Sequence, residues 1–250
     1  MVYHHRNKVK KRRTLLLLTL LCVLLPFTPL APASCHSGDS IVAVYGTTPT
    51  IDGVFSPGEW DDANFIPIGP AIAHVKQDGE YLNIAFLIFD NSYSGADYCV
   101  LGFDVDHNGI NSVGDFYIMY ERINYCSEYY GPSWTPVTPS GYSYSRTTYA
   151  DHWIAEFRIS YSKIGVTAGN AKTLGLCLGA ADTLVGNYRW PPAANELFTG
   201  TYGDLTSDSY FWIPEIPSTI IATATMLAAL LGISVHRKRY PRAKTEDITL

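Results

Sequence analysis

The side chains best spaced for chemistry lie in one run of twelve residues, Asp104-Val105-Asp106-His107-Asn108-Gly109-Ile110-Asn111-Ser112-Val113-Gly114-Asp115. Oxygen donors fall at positions 1, 3, 5 and 12, and a glycine at position 6 permits a sharp turn. That is the ligand spacing of a calcium-binding loop, with Asp in place of the usual bidentate Glu at its end. Asp104, Asp106, Asn108 and Asp115 are therefore candidate Ca2+ ligands. The short side chain of Asp115 predicts modest affinity. Asn108-Gly109 also suits a plain polar hairpin turn that needs no ion. A strand-like segment, Tyr98–Phe103, leads into the run, so no helix frames it.

A second kind of chemistry resides in two aromatic segments. Glu128 to Arg146 carries Gly131-Pro132, Pro136, Pro139 and Gly141 among Tyr129, Tyr130, Trp134, Tyr142 and Tyr144. Gly186 to Gly203 carries Tyr188, Trp190, Pro191-Pro192, Phe198 and Tyr202. Both read as long loops, where binding residues concentrate. A sugar needs an aromatic platform against its C–H faces and a polar rim. Trp134, Trp190, Tyr129 and Tyr188 are the candidates for it. The competing reading has these rings packing the loops onto the core. Trp60 and Trp153, in strand-like motifs, are assigned to the core. Glu59 and Glu156 are the carboxylates a glycosidase would use. Alternation puts Glu156 on an outer strand face with Arg158, where a cross-strand ion pair is expected instead. No G-x-S-x-G, H-E-x-x-H or Gly-rich phosphate loop occurs.

The elements that must position these residues are strands. Leu82, Ile84, Phe86 and Ile88 alternate along 80–89. Trp153, Ala155, Phe157, Ile159 and Tyr161 alternate along 152–161, and Leu174, Leu176, Leu178 and Ala180 along 173–180. Further strands are expected at Ile41–Tyr45, Ala71–Lys76, Asp97–Val105 and Asp115–Arg122. Short strands between Gly, Asn, Asp and Pro clusters predict an all-β, antiparallel two-sheet β-sandwich.

Charge is segregated along the 250 residues, whose formal total is −5. Six basic residues fall in the first 13 positions and five in the last 14. Between Ser34 and Pro217 stand seven basic and 21 acidic residues, a balance of −14. That acidic middle excludes nucleic acid as a partner, since no basic patch can neutralise phosphates. The N-terminus has a basic start, an apolar run from Leu15 to Leu25 and Ala31-Pro32-Ala33, the pattern of a signal peptide over 1–33. Near the other end, Ile216 to Val235 is uncharged, long enough to span a bilayer, and followed by His236-Arg237-Lys238-Arg239. The expected organisation is an exported domain over 34–212, a Pro-Glu segment and transmembrane helix over 213–235, and a cytoplasmic tail over 236–250. The large domain is then extracellular on a single-pass cell-membrane protein. Outside the cell, Cys35, Cys99, Cys126 and Cys177 suggest two disulfides of open connectivity.

Four motifs in order carry a family resemblance: Asp52-Gly53 through Glu59-Trp60, Asp78-Gly79-Glu80-Tyr81-Leu82, Phe103-Asp104-Val105-Asp106 through Gly109, and Ala155-Glu156-Phe157-Arg158-Ile159 through Gly165. Over about Thr50 to Tyr210 the chain resembles the family 9 carbohydrate-binding modules. The resemblance implies a β-sandwich, structural calcium at Asp104, Asp106 and Asn108, and a non-catalytic role binding a polysaccharide or surface glycan. Some relatives of the fold bind haem b, for which His74, Lys76 and Met119 are the available axial ligands. A structural surface-layer or adhesion role is the other alternative. The segment Trp212-Ile213-Pro214-Glu215-Ile216-Pro217, with the apolar run and basic cluster after it, resembles PEP-CTERM and PEF-CTERM sorting signals, which implies a sortase-like processing enzyme as partner.

Overall fold

Alternating apolar residues become strands wherever one face can be buried, and in the computed structural model they do so across residues 36–208, which are described except for 91, 93–95, 124, 171, 183 and 185. The described residues form β1 (Ser40–Tyr45), β2 (Asn64–Ile68), β3 (Ala71–Gln77), β4 (Tyr81–Phe89), β5 (Tyr98–Asp104), β6 (Phe116–Glu121), β7 (Cys126–Tyr130), β8 (Thr135–Val137), β9 (Tyr142–Thr148), β10 (His152–Ser160), β11 (Leu174–Asp182), β12 (Gly186–Trp190) and β13 (Gly203–Ser207). The expected signal peptide, C-terminal helix, sorting segment and Cys35 lie outside the described residues. Among the described residues no helix is long and apolar enough to cross a membrane.

The strands make one curled sheet, in the order β8-β7-β6-β5-β11-β13-β1-β3-β4-β10-β9, with β12 on β11 and β2 on β3. The curl turns at β1. Its residues Ser40 to Ala43 pair in parallel with β13, and Val44 and Tyr45 pair in parallel with β3. One half, from β8 to β13, is the front layer, and the other, from β3 to β9, is the back layer. Leu101, Phe103, Ile118, Leu176 and Leu178 from the front and Ile84, Phe86, Trp153 and Phe157 from the back share one core. The result is all-β and consistent with a sandwich.

Both aromatic segments contain strands rather than being plain loops: β7, β8 and β9 in the first, β12 in the second. Tyr142-Ser143-Tyr144-Ser145 alternates, but its half-polar faces carry little apolar signal.

The opening motif closes the outer side of the back layer. Glu156 does not pair with Arg158. Its side chain is buried, and it accepts hydrogen bonds from the backbone N–H of Asp52 (3.0 Å) and Gly53 (2.7 Å) and from Trp60 Nε1 (2.9 Å). Arg158 donates to the Pro49 carbonyl and Asn83 Oδ1. Sequence alternation located the correct strand face for Glu156, but the 46–63 segment folds over that face and makes it interior. Burial pushes the Glu156 carboxyl above the ordinary glutamate range, against the pull of its three donors. Gly53 has φ of 84°, and a Cβ there would meet the Arg146 backbone at 2.5 Å, so only glycine lets the segment lie this close to β9. Lys76 is buried beneath the same cover, with Nζ 2.7 Å from Asp62 Oδ1 and 5.1 Å from the Trp60 ring centroid.

Cys99, Cys126 and Cys177 are free thiols. Cys99 and Cys126 both pair with Tyr120, from opposite sides. Two strand spacings, about 10 Å, separate them, beyond the roughly 7 Å limit for a disulfide. Cys177 points to the other face of β11, against Tyr202. Among the described residues no two cysteines are joined, and Cys35, the fourth of the expected set, lies outside them.

Candidate functional site

The acidic loop joins the end of β5 to the start of β6. Asp104 is the last residue of β5, and Asp115 directly precedes β6. Hairpin pairing of Phe103 with Phe116 brings the two carboxylates together, and Asp106 folds back over them. One oxygen each from Asp104, Asp106 and Asp115 lies within 4.8 Å of the others. Oxygens sharing one Ca2+ at 2.3–2.6 Å stand up to about 5 Å apart, so this all-oxygen, partly buried set fits that ion. The loop backbone is arranged around the same side chains. Asp104 accepts from the N–H of Asn108 (3.2 Å) and Gly109 (2.7 Å), and Asp115 accepts from Val105 (2.9 Å) and Ser112 (2.7 Å). Asn108 stands beside the trio, with Oδ1 accepting from the Ile110 N–H and Nδ2 donating to Asp106. Burial, with Asp104 adding to it, raises the Asp115 carboxyl above the ordinary aspartate range. Burial opposes ionisation of Asp104 too, but the His36 hydrogen bond and the Gly109 N–H outweigh it and lower that carboxyl.

The four aromatic candidates are divided between two sides of one sheet. Tyr188 and Trp190 pair with Ala180 and Leu178, whose side chains are in the core, so their rings face inward and pack against it. Tyr129 pairs with Tyr117 on the outer face of the front layer, with ring centroids 4.7 Å apart and planes 18° apart. Trp134 leans over Tyr117 at 5.3 Å with a 59° tilt and donates from Nε1 to the Leu197 carbonyl at 3.1 Å. Tyr129 and Trp134 are thus brought together, with Tyr117 as the third ring.

Farther across this face, Arg189 lies between the inward rings Tyr188 and Trp190 and so points outward. It forms a two-pronged pair with Glu196 (3.0 and 3.1 Å) and reaches the Tyr98 hydroxyl at 3.3 Å. Burial opposes charge on Glu196, but Arg189 outweighs it and holds the carboxyl below the ordinary glutamate range. Tyr202 covers Gly102 so closely that a Cβ there would meet its hydroxyl at 2.3 Å. Sequence reading missed Tyr98, Tyr117, Arg189 and Glu196. Alternation along β6 and β12 was the available signal, because Tyr117 and Arg189 each sit between two inward-facing residues.

Glu59 and Glu156 are both engaged by protein donors. Glu59 accepts from the N–H groups of Thr50 (2.6 Å) and Ser56 (3.2 Å), and Glu156 holds the three donors described above. The three axial-ligand candidates are not gathered either. Met119 faces outward on the front layer, His74 packs against the stacked Phe55 and Trp60 outside the back layer, and Lys76 is held by Asp62. At the opposite end of β5 from Asp104, buried Asp90, Asp97 and Asp182 cluster, and Arg122 Nη1 lies 2.8 Å from Asp90 Oδ2 and 3.5 Å from Asp97 Oδ2.

No protein-family model and no curated protein matches the sequence. Solved structures do match the fold. A family 9 carbohydrate-binding module from Caldicellulosiruptor kristjanssonii in complex with cellotriose aligns at TM-score 0.56 and 16% identity, over 72% of this chain and 96% of that one. A family 9 module from the same organism in complex with glucose aligns at 0.55 and 17%, over 68% and 96%. A protein from Bacteroides uniformis aligns at 0.51 and 13%, over 69% and 100%. The fold is therefore like that of the family 9 modules.

Proposed function

We propose that this chain is a non-catalytic carbohydrate-binding domain that presents a polysaccharide or surface glycan to the outer face of its front layer. The observation that carries the reading is the corner that Tyr129 and Trp134 form over buried Tyr117, with the Arg189–Glu196 pair and the Tyr98 hydroxyl on the same face. Rings receive the C–H face of a sugar, and the flanking donors and acceptors take its hydroxyls. The family 9 neighbours in complex with cellotriose and glucose support the substrate class.

Calcium completes the proposal. Asp104, Asp106 and Asp115 would hold one Ca2+ with loop oxygens, and the ion would neutralise the carboxylates that close the β5–β6 turn. Its role is structural. The ends of the chain extend the reading to an exported protein held at the cell surface by the Ile216–Val235 segment, with a sortase-like enzyme as processing partner.

A glycan array probed with the full chain, with and without chelator, tests the proposal. Retention of a defined glycan class is expected, and no retention on any glycan would contradict it. For calcium, extracellular sites bind near 10⁻⁴ M, so a few millimolar ion is expected to add about 2 kcal/mol. Melting temperature should then rise by roughly 4–8 °C. Calorimetry that detects no binding at millimolar Ca2+ would remove the ion from the account.

A further inference from the structure

His36, His107 and Asp204 are used by neither the sugar face nor the calcium trio. They come from three distant places: the residues before β1, the β5–β6 turn, and β13. His36 Nδ1 and His107 Nε2 each lie 2.9 Å from the same oxygen, Asp204 Oδ1. The two imidazole rings stand edge to face at 4.3 Å. One donor atom from each residue lies within 4.8 Å of the others.

We infer that this cluster is a binding site for a divalent transition-metal ion of the Zn2+ type, with His36, His107 and Asp204 as ligands and Asp104 as the group that orients His36.

The geometry around His36 leads there. The His36 ring, 1% exposed, has a carboxylate oxygen against each nitrogen: Asp104 Oδ2 at 3.0 Å from Nε2 and Asp204 Oδ1 at 2.9 Å from Nδ1. A neutral imidazole has one N–H to donate. With Nε2 held by buried Asp104, Nδ1 is aimed at the space it shares with Asp204 and His107, where either a second ring proton or a metal ion can stand between the three donors. A carboxylate holding the far nitrogen of a metal-binding histidine is the usual outer-shell arrangement, since it fixes the tautomer and raises ligand basicity.

The donor set selects the ion. Two imidazoles and one carboxylate suit Zn2+ and its neighbours, whereas Ca2+ takes oxygen ligands only. In a tetrahedral zinc site adjacent donors are about 3.3 Å apart, so the 2.9 Å spacings need to open by only a few tenths of an ångström. The side chains of His107 and Asp204 remain 26% and 33% exposed, which gives the ion an entry path and leaves a fourth position toward solvent. The inference is independent of the sugar reading, because the cluster shares no residue with the aromatic corner.

The test titrates the full chain with Zn2+ against a chromophoric chelator, in excess Ca2+ so that the neighbouring carboxylates are engaged. Co2+ in place of zinc supplies a visible absorption band. One ion is expected to bind. His107→Ala should weaken binding by about tenfold or more, as should the near-isosteric Asp204→Asn, while Glu80→Gln, an exposed carboxylate just before β4, leaves it unchanged. Circular dichroism of His107→Ala, a partly exposed turn residue, is expected to match that of the parent chain. No zinc uptake by the parent chain would overturn the inference, and so would uptake that is equally strong in both His107→Ala and Asp204→Asn.

Discussion

Replacing Glu156 with alanine is expected to destabilise the domain by about 4 kcal/mol, the cost of leaving three donors, two of them buried, without an acceptor. The donors are the Asp52 and Gly53 N–H groups and Trp60 Nε1, all converging on one carboxylate that solvent does not reach. In a domain of this size the loss corresponds to a fall in melting temperature of roughly 8–16 °C. Glu156→Gln should cost less, because its amide oxygen still accepts from the two backbone groups, but its NH2 then faces the Trp60 N–H, donor against donor. A melting series of the parent chain, Glu156→Gln and Glu156→Ala in that descending order is the expected result. Equal melting temperatures would show that the 46–63 segment is not pinned by this residue.

Trp134→Ala carries the second large effect, this time on binding. Trp134 is only partly buried, and its contacts are with Tyr117 and the Leu197 carbonyl, outside the core. Its removal should therefore lower melting temperature little while taking away the ring that closes the aromatic corner. A central aromatic contact is worth about 2 kcal/mol, or roughly 30-fold in affinity. Trp190→Ala should behave in the opposite way. Its ring packs against the core beside Leu178, so stability should fall first. The contrast between two tryptophans that look equivalent in the sequence separates binding from packing.

The main strands were legible because period-2 apolar runs such as Leu82-Asn83-Ile84-Ala85-Phe86 leave no other way to bury one face. The same rule failed for β9 and β13, whose residues are mostly small or polar and which are strands because neighbours offer them an edge. The clustering of Asp104, Asp106 and Asp115 was legible because their spacing is local, within a single turn. The zinc cluster was not, since His36 and Asp204 are 168 residues apart and meet only when β1 pairs with β13. Glu156 was placed on the right face of its strand and given the wrong partner. Alternation reports which way a side chain points, and it is silent about what folds over it. For the same reason Tyr188 and Trp190 were grouped with Tyr129 and Trp134: aromatic content marks a segment, whereas register across β11 and β7 decides which side of the sheet each ring takes.

The central claim is that a saccharide contacts the outer face of the front layer. The most direct measurement is a titration of the full chain with a glucan oligosaccharide, following the indole N–H resonances of its tryptophans in calcium-containing buffer. The account predicts that the Trp134 resonance shifts in proportion to occupancy with the Trp60 and Trp153 signals unmoved, and that Trp134→Ala raises the saccharide concentration needed for half-saturation by roughly 30-fold. Saturable binding that leaves Trp134 unperturbed, or that survives Trp134→Ala at full affinity, would contradict it.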